Sequence, residues 1–177
     1  MSKQPYSHVV SAGFVLRSGN KFLLGLPSGR SGTTGGWGIP KGKKDDGEKV
    51  LTAALREFWE ETSLSLENQE LEGNINYERE PFFVYEVETK DGGKKVLKTV
   101  YVYRARVVDS KAENWLPEFP FRCLTMLSNG QPEISEYKWA TAEEAVELVV
   151  KSQKSLFQLI NTYVKLEYDE ELKAKES

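Results

Sequence analysis

The sequence predicts a single α/β domain over residues 1–177, in which a mixed β-sheet lies between helices. Short β-rich apolar runs occur on both sides of a helix-forming segment near residue 50, and further helical segments follow the last run. Strands with helices before and after them favour a sheet that is covered on both faces. A chain of 177 residues suffices for one core, and no repeat or linker divides it.

The first part of the chain alternates strand and turn signals. Residues 8–16 and 21–26 are predicted strands, because both are apolar and rich in β-formers, and 17–20 is the hairpin turn between them. A loop rich in glycine and serine, 27–36, leads to a short predicted strand at 37–42.

The middle of the chain predicts a long hairpin. Residues 82–88 and 96–108 are its strands, and 90–94 forms an exposed turn. The segment 109–129 is predicted to be irregular. Its aromatic residues are expected to pack at the edge of the core, with folding over a site as the alternative.

The last part predicts one more strand and two helices. The strand covers residues 136–140, and Thr141 opens a helix that runs to about residue 150. A second helix is expected from about 153 to 166. Residues 169–177 are predicted to be a frayed polar tail.

Composition excludes several classes of protein. Hydrophobic and charged contents of 39% and 29% are typical of a globular protein, and the net charge of −3 gives no general attraction to nucleic acid or membranes. No apolar stretch approaches a membrane span. Cys123 is the single cysteine, so an internal disulfide is excluded and a reducing cytoplasm is favoured.

The most informative segment is 42–64, GKKDDGEKVLTAALREFWEETSL. Residues 48–62 contain helix formers without proline, and Asp45 or Asp46 is placed to cap the start of this helix. At about 100° per residue, one side of the helix is predicted to be apolar. That side is expected to carry Leu51, Ala54, Leu55, Phe58 and Trp59.

The same helix predicts a cluster of negative charge. Glu57, Glu60 and Glu61 share one arc, and three repelling carboxylates need a counter-charge such as Mg²⁺ or Mn²⁺. Arg56 lies one turn before Glu60 and is expected to hold that carboxylate. An acidic, solvated helix face is the structural alternative.

The spacing of these residues resembles the Nudix box, G-x5-E-x7-R-E-U-x-E-E-x-G-U, in which U is apolar. Gly42, Glu48, Arg56-Glu57 and Glu60-Glu61 occupy its fixed positions, and Ser63 replaces the last glycine. The resemblance implies the Nudix α/β/α sandwich. It also implies metal-dependent hydrolysis of nucleoside diphosphates linked to another group. A glycine at position 63 would suit a left-handed turn, so serine is expected to affect stability only.

Two flanking segments resemble dinucleoside polyphosphate hydrolases and RNA 5′-pyrophosphohydrolases. Residues 37–42 read WGIPKG, and residues 131–139 read QPEISEYKW, which is similar to P-E-F-x-x-W-x-W. The resemblance implies that Glu133 approaches the metal from a separate loop, with Glu136 as its competitor. Ile134 and Tyr137 depart from the pattern.

The resemblance implies a set of functional residues. The expected metal ligands are Gly42 (through its backbone), Glu57, Glu60, Glu61 and Glu133. Glu61 or Glu133 is the expected general base, and Glu48 is expected to have a supporting role in which it fixes Arg56 or another ligand. The expected substrate-binding residues are Lys41, Lys43, Trp37 and Arg30.

The predicted activity is Mg²⁺-dependent hydrolysis of a phosphoanhydride bond, with asymmetric cleavage of a dinucleoside polyphosphate such as diadenosine tetraphosphate. Removal of pyrophosphate from an RNA 5′ end is the nearest alternative. Diphosphoinositol polyphosphates and damaged nucleoside triphosphates are further alternatives. A domain that only binds nucleotides or a protein partner is the alternative from another class.

Overall fold

The computed structural model describes residues 6–33, 35–68 and 74–177. Within these residues, seven strands form one sheet. The strands are β1 (Ser7–Ser18), β2 (Lys21–Pro27), β3 (Lys41–Lys43), β4 (Ile75–Tyr77), β5 (Phe83–Asp91), β6 (Lys94–Val107) and β7 (Ile134–Thr141). The α-helices are α1 (Val50–Thr62), α2 (Ser110–Trp115), α3 (Ala142–Leu148) and α4 (Lys154–Glu176), with 3₁₀ turns at Leu116–Glu118 and Lys151–Gln153.

The sheet is mixed, as predicted. Its strand order is β4-β6-β1-β2-β7, with β3 added to β1 and β5 added to β6. β1 and β6 are parallel, and the other pairs are antiparallel. β1 pairs with β2 only beside their shared turn. The remaining length of that edge is available to β3, which pairs with residues 11–13 of β1.

Apolar side chains fill both faces of the sheet. Alternate residues of β1 separate into two clusters, so that Phe14 lies with α1 on one face and Val15 lies with α3 and α4 on the other. Phe14 and Phe58 of α1 are both fully buried, with ring centroids 6.1 Å apart. The predicted sheet between helices is therefore confirmed. None of the described helices combines the length and apolarity that crossing a bilayer requires.

The start of α1 differs from the prediction. The helix begins at Val50 with Lys49 as its N-cap, and no side chain caps it. Neither Asp45 nor Asp46 does so, because these residues belong to a turn before the helix. In that turn the Asp45 carbonyl accepts the Glu48 N–H, the Glu48 carboxylate accepts the Asp45 N–H, and Gly47 has a positive φ of 76°.

The predicted apolar side of α1 is wrong at Trp59. Phe58 and Ala54 are fully buried, but 47% of Trp59 is exposed. Consecutive residues are about 100° apart around a helix, so the residue after the most buried position turns away from the core.

Two other segments correct the sequence prediction, and a third agrees with it. Residues 110–115 form α2, whose N-cap Asp109 accepts the Lys111 N–H, although this region was expected to be irregular. Phe119 and Phe121 pack against the α1 core cluster, in agreement with the expected edge packing. The expected tail at 169–177 is instead the continuation of α4 to Glu176, because its Lys- and Glu-rich sequence contains no helix breaker.

Ser63 ends α1 in the left-handed conformation, with φ 62° and ψ 4°. Its N–H donates to the Trp59 carbonyl at 2.8 Å, which closes the last turn. Among the described residues, Ser63 is the only one other than glycine with a positive φ. The left-handed conformation expected for the box glycine is therefore retained, although it is sterically less favourable for serine than for glycine.

Replacement of this residue by glycine is expected to stabilise the protein. Ser63→Gly removes the steric cost of the left-handed conformation, and we expect a gain of up to about 1 kcal/mol and an increase of about 2–4 °C in Tm. Thermal unfolding followed by circular dichroism measures the change. Ser65→Gly is the matched control, because no positive φ favours glycine there. An unchanged or lower Tm for Ser63→Gly would contradict this account.

Candidate active site

The acidic residues of α1 lie along one edge of its buried face. Glu61 is the most buried, at 7% exposure. The side chains of Glu57 and Glu60 are exposed by 12% and 24%. Exposure increases in this order because the three positions lie progressively farther around the helix from Phe58. The predicted arc of carboxylates is therefore partly embedded in the protein.

Arg56 is bonded to several acidic groups at once. Its Nε and Nη2 donate to the two Glu48 oxygens at 2.9 and 3.0 Å. Its Nη1 donates to Glu57 at 2.9 Å and to Glu60 at 3.0 Å, and its Nη2 also donates to the Lys43 carbonyl at 3.0 Å. The predicted contacts of Arg56 with Glu60 and Glu48 are both present.

This network shifts the pKa values of Glu48 and Arg56 so that both groups stay charged. The hydrogen bonds from Arg56 hold the pKa of Glu48 below its usual range. The same hydrogen bonds raise the pKa of Arg56, which remains a cation. Glu48 neutralises Arg56 from the side of the loop, so the guanidinium can bond Glu57 and Glu60 without fully neutralising them.

Gly42 lets β3 approach α1 closely. A Cβ at this position would overlap the carboxylate of Glu57. The neighbouring Lys41 N–H donates to Oε2 of Glu61 at 2.8 Å. The β3 backbone therefore lies directly against both carboxylates, which explains in steric terms why the box begins with glycine.

Glu57 and Glu61 are difficult to ionise in this environment. Burial raises the pKa of Glu61 to about 8, and the charges of Glu57 and Glu133 add to the effect. Burial also raises the pKa of Glu57 despite the opposing effect of Arg56, and Glu60 and Glu133 raise it further. Burial is therefore the main reason that these two carboxyl groups resist ionisation, and the neighbouring acidic side chains add to it.

Glu133 joins the box carboxylates from another part of the chain. Its Oε2 accepts a hydrogen bond from the Thr125 hydroxyl at 3.0 Å, and its N–H donates to the Thr125 carbonyl at 3.1 Å. The competing Glu136 is exposed and is not among the charges acting on Glu57 or Glu61. Glu133 therefore lies near enough for its charge to act on Glu57 and Glu61, and its role as a metal ligand stays a prediction.

The donor chemistry of the site fits a hard divalent cation. Glu57, Glu61 and Glu133 supply oxygen ligands whose mutual repulsion a cation would offset. Across residues 6–33, 35–68 and 74–177, no three acidic, histidine or cysteine side chains are placed closely enough to hold an ion. Glu57 is bonded to Arg56 and Glu61 to the Lys41 N–H, so these side chains would rotate to share a ligand.

A cleft of about 800 Å³ opens beside Glu61. Three of the predicted substrate-binding residues, Arg30, Trp37 and Lys41, border it. Burial lowers the pKa of Lys41, and the charge of Lys98 acts in the same direction. Lys43 is exposed, and its carbonyl holds Arg56.

Trp37 lies in the floor of this cleft. Only 5% of the residue is exposed, and its indole N–H donates to the Gly32 carbonyl at 2.9 Å. The ring packs in the second core cluster, on the side of α3 and α4. Stacking on a base requires an open ring face, so the burial of Trp37 favours a structural role in the core over the expected role in substrate binding.

The cleft also contains residues that the sequence did not single out. Tyr85 and Lys98 come from β5 and β6, and Gln153 comes from the turn before α4. Oε1 of Gln153 accepts the Ile39 N–H at 2.9 Å, which fixes the segment leading to β3. Lys98 had a detectable signal: it interrupts the apolar alternation of Val96, Val100 and Val102.

A second groove, of about 620 Å³, lies away from these carboxylates between the sheet and α4. Its Arg17 is paired with Glu167 at 2.7 Å, and its Arg104 with Glu78 at 2.7 Å. These charges satisfy each other, in contrast to those of the cleft beside Glu61.

Comparisons with known proteins agree with this architecture. The model of the NUDIX domain matches residues 7–160. An RNA pyrophosphohydrolase of Pelagibacter ubique is 30% identical over 136 residues, which cover 73% of this chain and 74% of that protein. One of Erythrobacter litoralis is 24% identical over 150 residues, which cover 84% and 85%.

A solved structure shows the same fold. The structure of a C. elegans Ap4A hydrolase binary complex is similar with a TM-score of 0.59 at 23% identity, covering 89% of this chain and 98% of that chain. The domain match spans most of the chain, and the box residues form the acidic site described above. The chain therefore belongs to the Nudix hydrolase family.

Proposed function

We propose that this Nudix hydrolase is Mg²⁺-dependent and cleaves a phosphoanhydride bond in a nucleoside polyphosphate. The leading substrate is a dinucleoside polyphosphate such as diadenosine tetraphosphate, cut asymmetrically. One observation carries the proposal: the buried carboxylate of Glu61, on which the charges of Glu57 and Glu133 act, borders a cleft that Arg30, Lys41 and Lys98 also border. An acidic end for a cation next to a basic end suits a polyphosphate.

The acidic end would hold the metal. Glu57, Glu60, Glu61 and Glu133 would supply carboxylate ligands, and the backbone of Gly42 would supply a carbonyl. Bound there, Mg²⁺, or Mn²⁺ in its place, would neutralise charge on the phosphate oxygens and activate water. Arg56 keeps Glu57 and Glu60 oriented through its two Nη1 hydrogen bonds.

The basic end would bind the phosphates. Lys41 is the best placed, because it interacts electrostatically with both Glu57 and Glu61 and borders the cleft. Arg30 and Lys43 are exposed, and their mobile charged side chains would bind the outer phosphates of the polyphosphate. Glu61 or Glu133 would accept the proton of the attacking water.

A second candidate substrate is the triphosphorylated 5′ end of RNA. The printed names of the Pelagibacter and Erythrobacter relatives favour it. Both candidates present the same chemistry, a polyphosphate esterified to a nucleoside 5′ oxygen.

The free Cys123 is in keeping with a reducing compartment, and we propose that the enzyme works in the cytoplasm.

Product analysis distinguishes the two substrates. With diadenosine tetraphosphate and Mg²⁺, we expect ATP and AMP in equal amounts, and no turnover with EDTA; chromatography measures both. In parallel, a 5′-triphosphorylated oligoribonucleotide is assayed for pyrophosphate release. Preference for the oligoribonucleotide would make RNA the substrate. Binding of nucleotide without turnover of either compound would contradict the enzymatic proposal and favour a binding module.

Substitution of single carboxylates tests their assignment. Glu61→Gln and Glu133→Gln each replace a proposed metal ligand or general base with an amide, and we expect kcat to fall about 10²-fold or more. Steady-state kinetics on the preferred substrate give the values. Glu136→Gln, an exposed change on the same strand-and-loop segment, is the matched control and should stay within about twofold of wild type. A loss at Glu136 equal to that at Glu133 would reverse the assignment.

A further inference from the structure

We propose that the end of α4, residues 168–176, packs antiparallel against the same helix of a second copy of this chain. The Tyr168 side chains of the two copies would meet on the two-fold axis. This interface is separate from the proposed function, because residues 168–176, all of which the structure describes, lie outside the lining of the cleft beside Glu61.

α4 continues beyond the part of the domain that supports it. Phe157 and Ile160 are buried against the sheet, and Arg17 of β1 donates two hydrogen bonds to the Glu167 carboxylate, at 3.1 and 2.7 Å. All side chains of 168–176 are exposed, although the helix continues through them. At about 1.5 Å per residue, this segment extends the helix by about 13 Å beyond the ion pair with Arg17.

One side of this segment carries large apolar side chains. Tyr168 and Leu172 are exposed by 61% and 42%, and they lie one turn apart on the same side of the helix. Val164, one turn before Tyr168, is partly buried and extends the stripe back to the domain. Tyr163 and Leu166 are also exposed, but no large apolar residue follows them on their side. The stripe from Val164 to Leu172 is therefore the side that favours a packing partner.

A groove of about 450 Å³ lies beside this stripe. Thr141 and Glu143, at the start of α3, border it on one side, and Val164, Lys165 and Tyr168 of α4 border it on the other. The groove and the stripe therefore form one surface that contains both apolar and charged groups. A second helix that packed along the stripe would contact the groove as well.

An antiparallel pair of α4 helices fits this surface. With a two-fold axis at Tyr168, a residue before this position faces the residue the same number of places after it in the second copy. Val164 would face Leu172, which makes an apolar contact. Lys165 would face Glu171, which makes an ion pair. Each contact occurs twice, because the interface is the same patch on both copies.

The charges of the segment occur in the order that this pairing requires. Residues 169–171 are acidic, and 173–175 contains two lysines. The acidic part would pass Lys165 of the second copy, and Lys175 would reach the groove that Glu143 borders. Neither Lys165 nor Glu143 forms an ion pair within the described part of the chain. A parallel pair would instead align identical charges, which repel.

Sedimentation equilibrium tests the pairing by exchange of charges. Lys165→Glu alone brings like charges together at two symmetric places, and we expect it to raise the dissociation constant of the dimer about tenfold or more. Lys165→Glu combined with Glu171→Lys restores both pairs in the opposite sense, and should return within about threefold of wild type. Lys173→Glu is the matched control. It makes the same substitution on another side of the helix, and should also stay within about threefold.

Three outcomes would overturn the proposal. Because the interface is small, we expect wild type to be mainly dimeric at about 100 µM, and a monomer at about 300 µM would contradict a second copy as the occupant. Equal effects of Lys165→Glu and Lys173→Glu would contradict the assigned side of the helix. No recovery in the double variant would contradict the antiparallel register. Circular dichroism of each variant checks that its helix content matches wild type.

Discussion

The guanidinium of Arg56 is the group on which the arrangement of the site depends. It bonds Glu48 on one side and Glu57 and Glu60 on the other, and it also anchors the Lys43 carbonyl. Three carboxylates in this small volume would otherwise repel one another. Because the planar guanidinium presents several donors in fixed directions, it can hold the loop before α1, the helix itself and the end of β3 in one arrangement.

Close packing around this group brings an acidic end and a basic end of the site next to each other. Gly42 brings β3 against Glu57, and the Lys41 N–H binds Glu61. The backbone of Lys41 therefore belongs to the acidic end, whereas its side chain borders the basic cleft. A single residue joins the two ends. Under the proposed function, this geometry would place a polyphosphate next to the carboxylates without a flexible connection between the two ends.

Much of the site was predictable because spacing along a helix determines direction. The pair Arg56–Glu60 follows from the spacing along the helix, and the resemblance to the Nudix box pointed to Glu48 beside Arg56 and to a left-handed end at Ser63. All three features are present. The longer strands were predictable from apolar runs, whereas the short β4 was not predicted and β3 covers only the end of the segment 37–42 that was expected to be a strand. Trp59 and the start of α1 were predicted wrongly, because neither the exact centre of the buried face nor the competing turn at Asp45 is apparent from propensity alone.

Other features depend on contacts between distant parts of the chain. Lys98 faces the cleft because of the register between β6 and its two neighbours, which no local pattern specifies. The burial of Trp37 likewise follows from its packing with α3 and α4. The continuation of α4 beyond residue 168 was missed because an exposed, charged helix lacks the apolar periodicity that marks a packed one.

The central claim is that Glu48, through Arg56, keeps the carboxylates of Glu57 and Glu60 ready to bind a divalent cation. Electron paramagnetic resonance of free Mn²⁺ during a titration with protein tests it directly, because Glu48 itself would not touch the ion. We expect wild type to bind Mn²⁺, and Glu48→Gln to bind it about 10–100-fold more weakly, while the exposed Glu67→Gln matches wild type. Equal Mn²⁺ affinity in wild type and Glu48→Gln, or no binding by wild type, would contradict the account.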